Sequence, residues 1–207
     1  GAATVASVFR LAVIRELPLE IIALLPIAEN AIGSNAGKRH DIPTAYDGQT
    51  VEINNTDSEG RLIIGDALAY SEKHIRPDAT VTVATLMGTG VYGADFLQIM
   101  TNTPDFLRRA DLAMNHSHER MVPMPLLEHF SSVDELLVGE TSDLKNEPGY
   151  HPQTAGPVFI ANFLQRDPSP WLDLEIAAVM EKDADDYGAG PGFGVRFLWY
   201  FVKQFAR

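Results

Sequence analysis

The chain has 207 residues, of which 45% are hydrophobic and 21% charged, a length and composition that suit one folded domain with a substantial core. It contains no cysteine, which excludes disulfides, thiolate metal sites and a cysteine nucleophile. The formal net charge of −12 argues against a nucleic-acid surface, and no apolar run approaches the roughly 20 residues that a membrane-spanning helix needs.

Helices and strands alternate along the first part of the chain. Apolar residues at helical spacing predict a helix at residues 2–15, and a nearly continuous apolar run predicts a strand, buried on both faces, at 19–25. A turn signal at 47–48 precedes a predicted strand at 50–53. Residues 59–73 are predicted to form the next helix.

The second part of the chain continues this alternation. The remaining predicted elements are, in chain order, a β-branched strand at 80–86, a helix at 103–116, a helical stretch at 126–137, a helix at 155–165, a strand at 171–178, a loop at 183–192 and a closing helix at 195–205. Such alternation predicts an α/β fold with a mostly parallel central sheet flanked by helices.

The most informative segment is 54–61, which joins a predicted strand to a predicted helix. Ligand sites in α/β proteins collect at such junctions, beyond the carboxyl ends of strands. Asp57 and Glu59 offer two hard oxygen ligands for a divalent cation, and Arg61 can hold an anion through its planar guanidinium. On spacing alone, a solvated turn is the favoured explanation of the two carboxylates.

A family resemblance favours the first interpretation. Residues 55–61, with the sequence Asn-Thr-Asp-Ser-Glu-Gly-Arg, resemble the Asn-Thr-Asp-Ala-Glu-Gly-Arg signature of the leucyl (cytosol) aminopeptidases, a family of two-metal exopeptidases. Further segments resemble motifs of that family in the same order, at residues 26–30, 41–42, 48–52, 84–88, 142–146 and 192–196. Together these segments extend over nearly the whole chain.

The resemblance implies a role for each candidate site residue. Asp57 and Glu59 match metal-bridging carboxylates, which implies two divalent metal ions, Zn or Mn. Arg61 matches the catalytic arginine, which in the family holds a bicarbonate. The other matched positions bind the main chain or the first side chain of the substrate: Asn55, Thr85, Leu86, Gly88, Ala177 and Met180. For Leu86, Ala177 and Met180 the alternative interpretation is plain core packing.

The resemblance also has gaps. The family's first metal-binding segment, with two lysines and two aspartates, would fall upstream of Gly1, as would its smaller N-terminal domain. We therefore expect residues 1–207 to be an aminopeptidase catalytic domain that lacks both parts and is inactive as an isolated chain. Asp173 and Glu175 stand where the family usually has His and Asp, which bears on how the substrate pocket is supported.

Two classes of function follow from these patterns. The first is a two-metal aminopeptidase that releases N-terminal amino acids from peptides by metal-activated water. The alternative is a non-catalytic structural subunit that retains the fold. The resemblance implies peptide substrates and either a homo-oligomer, a hexamer by family, or an upstream companion chain. Neither nucleic acid nor a membrane is expected as a partner. A cytoplasmic location is expected, with an organelle left open.

Overall fold

The computed structural model describes residues 1–29, 32–87, 96–148, 154–166, 169–177 and 191–206. Its packing divides the chain into two units. Unit 1 consists of Gly1–Leu25, Val81–Leu126 and Pro170–Arg207, and unit 2 of Pro26–Thr80 and Leu127–Ser169. Each unit is therefore assembled from segments that are separated in the sequence.

Helices and strands follow one another along the described residues. In chain order they are α1 (Ala2–Ile14), β1 (Val51–Glu52), α2 (Glu59–Tyr70), β2 (Thr80–Ala84), β3 (Leu97–Thr101), α3 (Pro104–Ser117), β4 (Met121–Pro123), α4 (Ser131–Leu136), β5 (Leu144–Lys145), α5 (Ala155–Ala161), β6 (Trp171–Glu175) and α6 (Val195–Lys203). A 3-10 turn at Thr56–Ser58 leads into α2, and a π turn at Ser71–Ile75 extends its end.

Unit 1 is built on a four-stranded sheet in the order β2-β6-β3-β4. β3 pairs in parallel with β4, so that Leu97 lies opposite Met121, and it pairs antiparallel with β6, so that Gln98 lies opposite Glu175. Every residue of β3 and β6 is buried. These two strands form the centre of the sheet and place acidic and amide side chains in its interior.

Among the described residues, unit 1 also contains helices α1, α3 and α6, and α6 packs against both of the others. It buries Phe197 and Phe201, and the ring of Phe106 in α3 meets Phe201 edge to face at 5.5 Å between centroids. The helix begins after Gly194, whose φ of 84° favours glycine. There the buried carboxylate of Glu119 accepts a hydrogen bond from the backbone N–H of Phe197 at 2.7 Å, at the positive end of the helix dipole.

In the described part of unit 2 there are a two-stranded parallel sheet and the helices α2, α4 and α5. β1 pairs with β5, with Val51 opposite Leu144. α2 packs against α5, which also contacts α4. The approach of α2 is close, because a Cβ added at Gly65 would lie 2.7 Å from a ring carbon of Phe163. A glycine at this position therefore lets the helix reach the aromatic ring directly.

The predicted α/β fold is confirmed, and the parallel pairs β3–β4 and β1–β5 agree with the predicted sheet. β6 pairs antiparallel with β3, which a mostly parallel sheet allows. The sequence pattern did not predict β3, β4 or β5. The predicted helical stretch at 126–137 forms a 3-10 turn at Leu127–Phe130 followed by α4. Most of the predicted loop at 183–192 lies outside the described residues.

The predicted strand at residues 19–25 is wrong. These residues form no strand, and the side chains of Ile22 and Leu25 are 52% and 39% exposed. The backbone N–H of Leu19 donates only locally, to the carbonyl of Leu17 at 2.7 Å. A strand needs a neighbouring strand that accepts its hydrogen bonds, and an apolar run does not supply one by itself.

No helix within the described ranges is both long enough and apolar enough to cross a membrane.

Candidate active site

The junction between β1 and α2 carries the predicted metal ligands. Asn55 has an extended backbone, and its side-chain oxygen accepts a hydrogen bond from the N–H of Asp57 at 3.0 Å. This cap starts the 3-10 turn that runs into α2 at Glu59. The carboxylates of Asp57 and Glu59 are exposed, whereas Arg61 is only 6% exposed. The junction thus presents two carboxylates outward and holds its cation inside.

Asn146, which directly follows β5, fixes the backbone of this junction. Its side chain is fully buried, and its Oδ1 accepts hydrogen bonds from the N–H groups of Asn54 at 3.0 Å and Asn55 at 3.1 Å. Its Nδ2 donates to the carbonyl of Asn55 at 2.7 Å. A single amide side chain therefore satisfies both donors and acceptors of the segment that leads to Asp57.

Arg61 is held from inside unit 2. Its Nη1 lies 2.7 Å from Oε2 of Glu147, and both side chains are 7% exposed. The same nitrogen donates to the backbone carbonyl of Asn146. Glu147 also accepts a hydrogen bond from the hydroxyl of Ser58 at 2.7 Å. These contacts connect the end of β5 to the start of α2 through a buried ion pair.

The ion pair bears on the predicted bicarbonate. An external anion at Arg61 would meet a guanidinium whose positive charge is already balanced by the carboxylate of Glu147. Displacing the Glu147 carboxylate would break a buried ion pair, which is strongly unfavourable. A second anion at Arg61 would therefore have to compete with the carboxylate of Glu147.

The fit to a metal is partial. Asp57 and Glu59 are exposed, and carboxylate oxygens are suitable ligands for Mn and Zn. Within the described ranges, however, no group of three or more His, Cys, Asp or Glu side chains could hold a metal ion. A complete coordination sphere would need ligands beyond these two carboxylates.

Three further predicted site residues, Thr85, Leu86 and Ala177, belong to unit 1. Thr85 and Leu86 follow β2, and Ala177 follows β6. The ends of these two strands are joined by a hydrogen bond from the N–H of Ile176 to the carbonyl of Ala84 at 2.9 Å. Thr85 is exposed, and Leu86 and Ala177 are half-buried, so none of the three is a fully buried core residue.

The other two predicted substrate-binding residues, Gly88 and Met180, lie outside the described residues. The structure thus brings Asn55, Asp57, Glu59 and Arg61 together at one junction in unit 2. It places Thr85, Leu86 and Ala177 at neighbouring strand ends in unit 1.

Two residues of the site were missed by sequence reasoning. Asn146 lies in the segment 142–146, which resembles a family motif, but no role was assigned to it. Glu147 is the next residue and carried no signal, because an acidic residue before a Pro-Gly pair is typical of an exposed turn. The segment resemblance could have identified Asn146, whereas only the fold reveals Glu147 as the partner of Arg61.

Comparison with known proteins supports the family resemblance. The profile of the cytosol aminopeptidase family, catalytic domain, matches residues 1–199. The probable cytosol aminopeptidase of Chlamydia abortus is 35% identical over 214 residues, covering 99% of this chain and 42% of that protein. That of Phytoplasma australiense is 33% identical, with the same coverage of 99% and 42%. The chain thus spans less than half the length of these relatives.

Solved structures agree with this result. Leucyl aminopeptidase from Trypanosoma cruzi superimposes with a TM-score of 0.89 at 30% identity, covering 100% of this chain and 41% of that one. The bottromycin maturation enzyme BotP, in complex with Mn, gives a TM-score of 0.90 at 28% identity, with coverage of 100% and 47%. From its sequence match and its fold, the chain belongs to the cytosol aminopeptidase family, within the catalytic domain of that family.

Proposed function

We propose that this chain is part of the catalytic domain of a metal-dependent aminopeptidase, which releases N-terminal amino acids from peptides. The observation that carries the proposal is the β1–α2 junction, where Asp57 and Glu59 are exposed on a backbone that Asn146 holds in place. Family membership and relatives described as aminopeptidases point to the same reaction.

The proposed cofactors are two divalent metal ions, Mn or Zn, with Asp57 and Glu59 among their ligands. The bound Mn of BotP favours Mn as the first ion to test. When bound, such ions supply an activated water that attacks the scissile carbonyl. The task of this chain is to present the two carboxylates from a rigid turn, and the other ligands come from residues beyond those that the structure describes.

Arg61 is proposed to act mainly by positioning. Its contacts with Glu147 and with the carbonyl of Asn146 keep the start of α2 against the end of β5, so that the turn carrying Asp57 stays in place. A bicarbonate at Arg61 stays a prediction, and such an anion would have to compete with Glu147.

Substrate binding is proposed to use both sets of predicted residues. Main-chain groups of the peptide would contact Asn55, Thr85, Leu86 and Gly88, and the first side chain would contact Ala177 and Met180. A homo-oligomer, a hexamer by family, an upstream companion chain and a cytoplasmic location belong to the same proposal. The described residues supply only part of the metal site, so we expect the isolated chain to be inactive.

The test uses the full-length gene product, supplied with Mn or Zn and a leucyl chromogenic amide. Asp57→Asn should lower hydrolysis at least 100-fold and lower the bound metal, with an unchanged melting temperature, because the exposed carboxylate serves the metal and not the fold. Asp78→Asn, a matched change at an exposed aspartate of unit 2, should leave both unchanged. Absence of metal-dependent hydrolysis in the wild-type product would favour the non-catalytic subunit instead.

A further inference from the structure

Two acidic side chains are buried side by side in the sheet of unit 1. Asp173 and Glu175 lie two residues apart on β6, so they project from the same face of the strand. They are 0% and 2% exposed. Within the described residues no Lys, Arg or His side chain pairs with either carboxyl. Two buried carboxylates without a cation cannot both be ionised at low cost.

The hydrogen bonds around the pair leave one oxygen of each carboxyl without a donor. The hydroxyl of Thr82 donates to Oδ1 of Asp173 at 2.5 Å. The backbone N–H groups of Leu86 and Met87 donate to Oε2 of Glu175 at 2.8 and 3.3 Å. The other oxygens, Oδ2 of Asp173 and Oε1 of Glu175, are buried and accept no hydrogen bond from the described residues.

We propose that Asp173 and Glu175 share one proton between these two oxygens, and that the resulting carboxyl–carboxylate pair positions the backbone of Leu86 and Met87. One proton satisfies both oxygens at once, because the protonated carboxyl donates and the charged one accepts. The pair then carries a single negative charge, which is stabilised by the Thr82 hydroxyl and the two backbone N–H groups.

The titration of the two groups agrees with this arrangement. Burial raises the pKa of Asp173 to about 7, although its interactions with the Thr82 hydroxyl and the neighbouring Glu175 carboxyl act to lower it. Burial, followed by the charge of Asp173, raises the pKa of Glu175 well above its ordinary value. Both shifts favour retention of a proton at neutral pH.

The side chains that face the pair from β2 and β3 cannot supply this proton. Along β3, Met100 lies opposite Asp173 and Gln98 opposite Glu175, and neither side chain titrates. Thr82 on β2 does not titrate either. Burial lowers the pKa of the α-amino group of Gly1, and the charge of Glu175 acts in the opposite direction on this amine. The experiment below therefore controls for that amine.

The geometry explains how the pair would serve the site, an argument that rests on the proposed function. In a trans peptide the carbonyl and the following N–H point in opposite directions. Because the N–H of Met87 points at Glu175, the carbonyl of Leu86 points away from the acidic pair. Leu86 is a predicted substrate-binding residue, so Glu175 is a positioning residue that aims this carbonyl outward.

The proposal fixes the sign of the pH dependence. The unfolded chain releases the shared proton near the ordinary pKa values of about 3.9 for Asp and 4.3 for Glu. The folded chain keeps it to about pH 7. Between these values the folded state binds more protons, so its free energy of unfolding falls as the pH rises. The contribution of the proton is complete below pH 4.

Amide substitutions test the shared proton directly. Asp173→Asn can accept from Thr82 through Oδ1 and donate through Nδ2 to Glu175. Glu175→Gln can accept from the backbone N–H groups and donate through Nε2 to Asp173. Each single change replaces the shared proton with a permanent N–H donor. The double change places two NH2 groups face to face, with no acceptor between them.

The measurement is urea unfolding of the 207-residue chain at pH 5 and pH 8, with the Gly1 amine acetylated in a parallel series. Each single variant should be at least as stable as the wild type at pH 8 and should lose the dependence on pH. The double variant should unfold at least tenfold more readily than either single variant. Asp111→Asn, at an exposed position in the same unit, should behave like the wild type.

The proposal is overturned if both single changes raise the unfolding equilibrium constant more than tenfold at pH 8, or if the double change is merely additive. If a variant fails to fold, two measurements on the wild-type chain still test the shared proton. Infrared spectra in D2O should show one buried protonated carboxyl at pH 6, and the amide protons of Leu86 and Met87 should exchange faster when it is lost. Absence of that band refutes the shared proton. These readouts need neither metal nor peptide, so their failure is distinct from failure of the proposed activity.

Discussion

Arg61 and Glu147 form a buried ion pair, with 2.7 Å between Nη1 and Oε2 and side chains that are each 7% exposed. The pair joins the first turn of α2 to the residue after Asn146, and therefore to the backbone that carries the candidate metal ligands. A buried pair of this kind contributes little net stability, but the loss of one partner leaves an uncompensated charge inside the protein. Its integrity is thus a condition for the shape of the junction.

Glu147→Gln should destabilise unit 2. The substitution keeps the shape of the side chain but removes the negative charge from a buried ion pair, at a cost of about 3–5 kcal/mol. Urea unfolding of the chain at neutral pH measures the change. Glu128→Gln, at a carboxylate that is 75% exposed, serves as the control and should have no measurable effect. A loss below about 0.5 kcal/mol in Glu147→Gln, a limit typical of surface changes, would contradict the role of the pair.

Asn146→Asp should disturb the junction without changing its size. The aspartate can still accept from the N–H groups of Asn54 and Asn55, but it cannot donate to the carbonyl of Asn55. That carbonyl keeps a hydrogen bond from the N–H of Ser58 at 3.3 Å, so the variant loses one hydrogen bond, at a cost of about 0.5–1.5 kcal/mol. We expect a lower urea midpoint and weaker Mn binding in calorimetry of the full-length product. Asn102→Asp, in unit 1, provides a matched comparison for metal binding, which should be unchanged. Unaltered Mn binding in Asn146→Asp would show that the amide does not support the metal ligands.

Gly65→Ala should be destabilising although alanine favours helices. Helix propensity alone predicts a gain of about 1 kcal/mol. The added Cβ would, however, meet the ring of Phe163 at 2.7 Å, and overpacking of this kind costs about 1–3 kcal/mol. Gly33→Ala adds the same atom where nothing lies within 4 Å, and it should be neutral in thermal unfolding. A raised melting temperature in Gly65→Ala would mean that α2 and Phe163 adjust freely.

The environment of Glu72 predicts that the stability of the folded chain also depends on pH in the acidic range. Its buried carboxylate accepts from Nε of Arg166 at 2.9 Å and from the hydroxyl of Ser169 at 2.6 Å. Burial alone would raise the pKa of Glu72, but these partners outweigh burial and lower it. The folded state therefore gains stability above the unfolded pKa of about 4.3 and loses it as the pH falls. This sign is opposite to that expected for Asp173 and Glu175.

Glu72→Gln should remove that acid response. Urea midpoints between pH 3 and pH 6 should vary less in the variant than in the wild type, and at pH 6 the variant should be the less stable of the two. Glu135→Gln, at an exposed position of α4, should keep the wild-type slope. An equal slope in Glu72→Gln and the wild type would assign the acid response to other carboxylates.

Local periodicity predicted many of the helices and strands but not which strands pair with each other. The helical spacing at 2–15 and 59–73 agrees with α1 and α2 to within a few residues. β3 was missed, because a strand buried on both faces shows no alternation, and its sequence mixes Gln and Thr with apolar residues. The apolar run at 19–25 failed for a complementary reason: composition does not show whether a hydrogen-bonding neighbour exists.

In the candidate site, too, local motifs could be predicted from the sequence, whereas contacts between distant segments could not. The motif at 55–61 was visible because its residues are adjacent in sequence, and the structure keeps Asn55, Asp57 and Glu59 at one turn. The partner of Arg61 comes from a distant segment, and the partners of Glu175 are backbone N–H groups that carry no residue-specific signal. Contacts of these two kinds depend on the packed fold and not on local sequence.

The chain also carries its own optical reporter. Trp171 is fully buried, and its indole N–H donates to the hydroxyl of Thr82 at 3.0 Å, the same hydroxyl that donates to Asp173. The second tryptophan, Trp199, is half-buried on α6. In a Trp199→Phe background, the fluorescence of Trp171 would respond to the charge of the Asp173 and Glu175 pair, because the Thr82 hydroxyl contacts both the indole and Asp173. Loss of one proton in the sheet could then be followed as a change in emission, without a label.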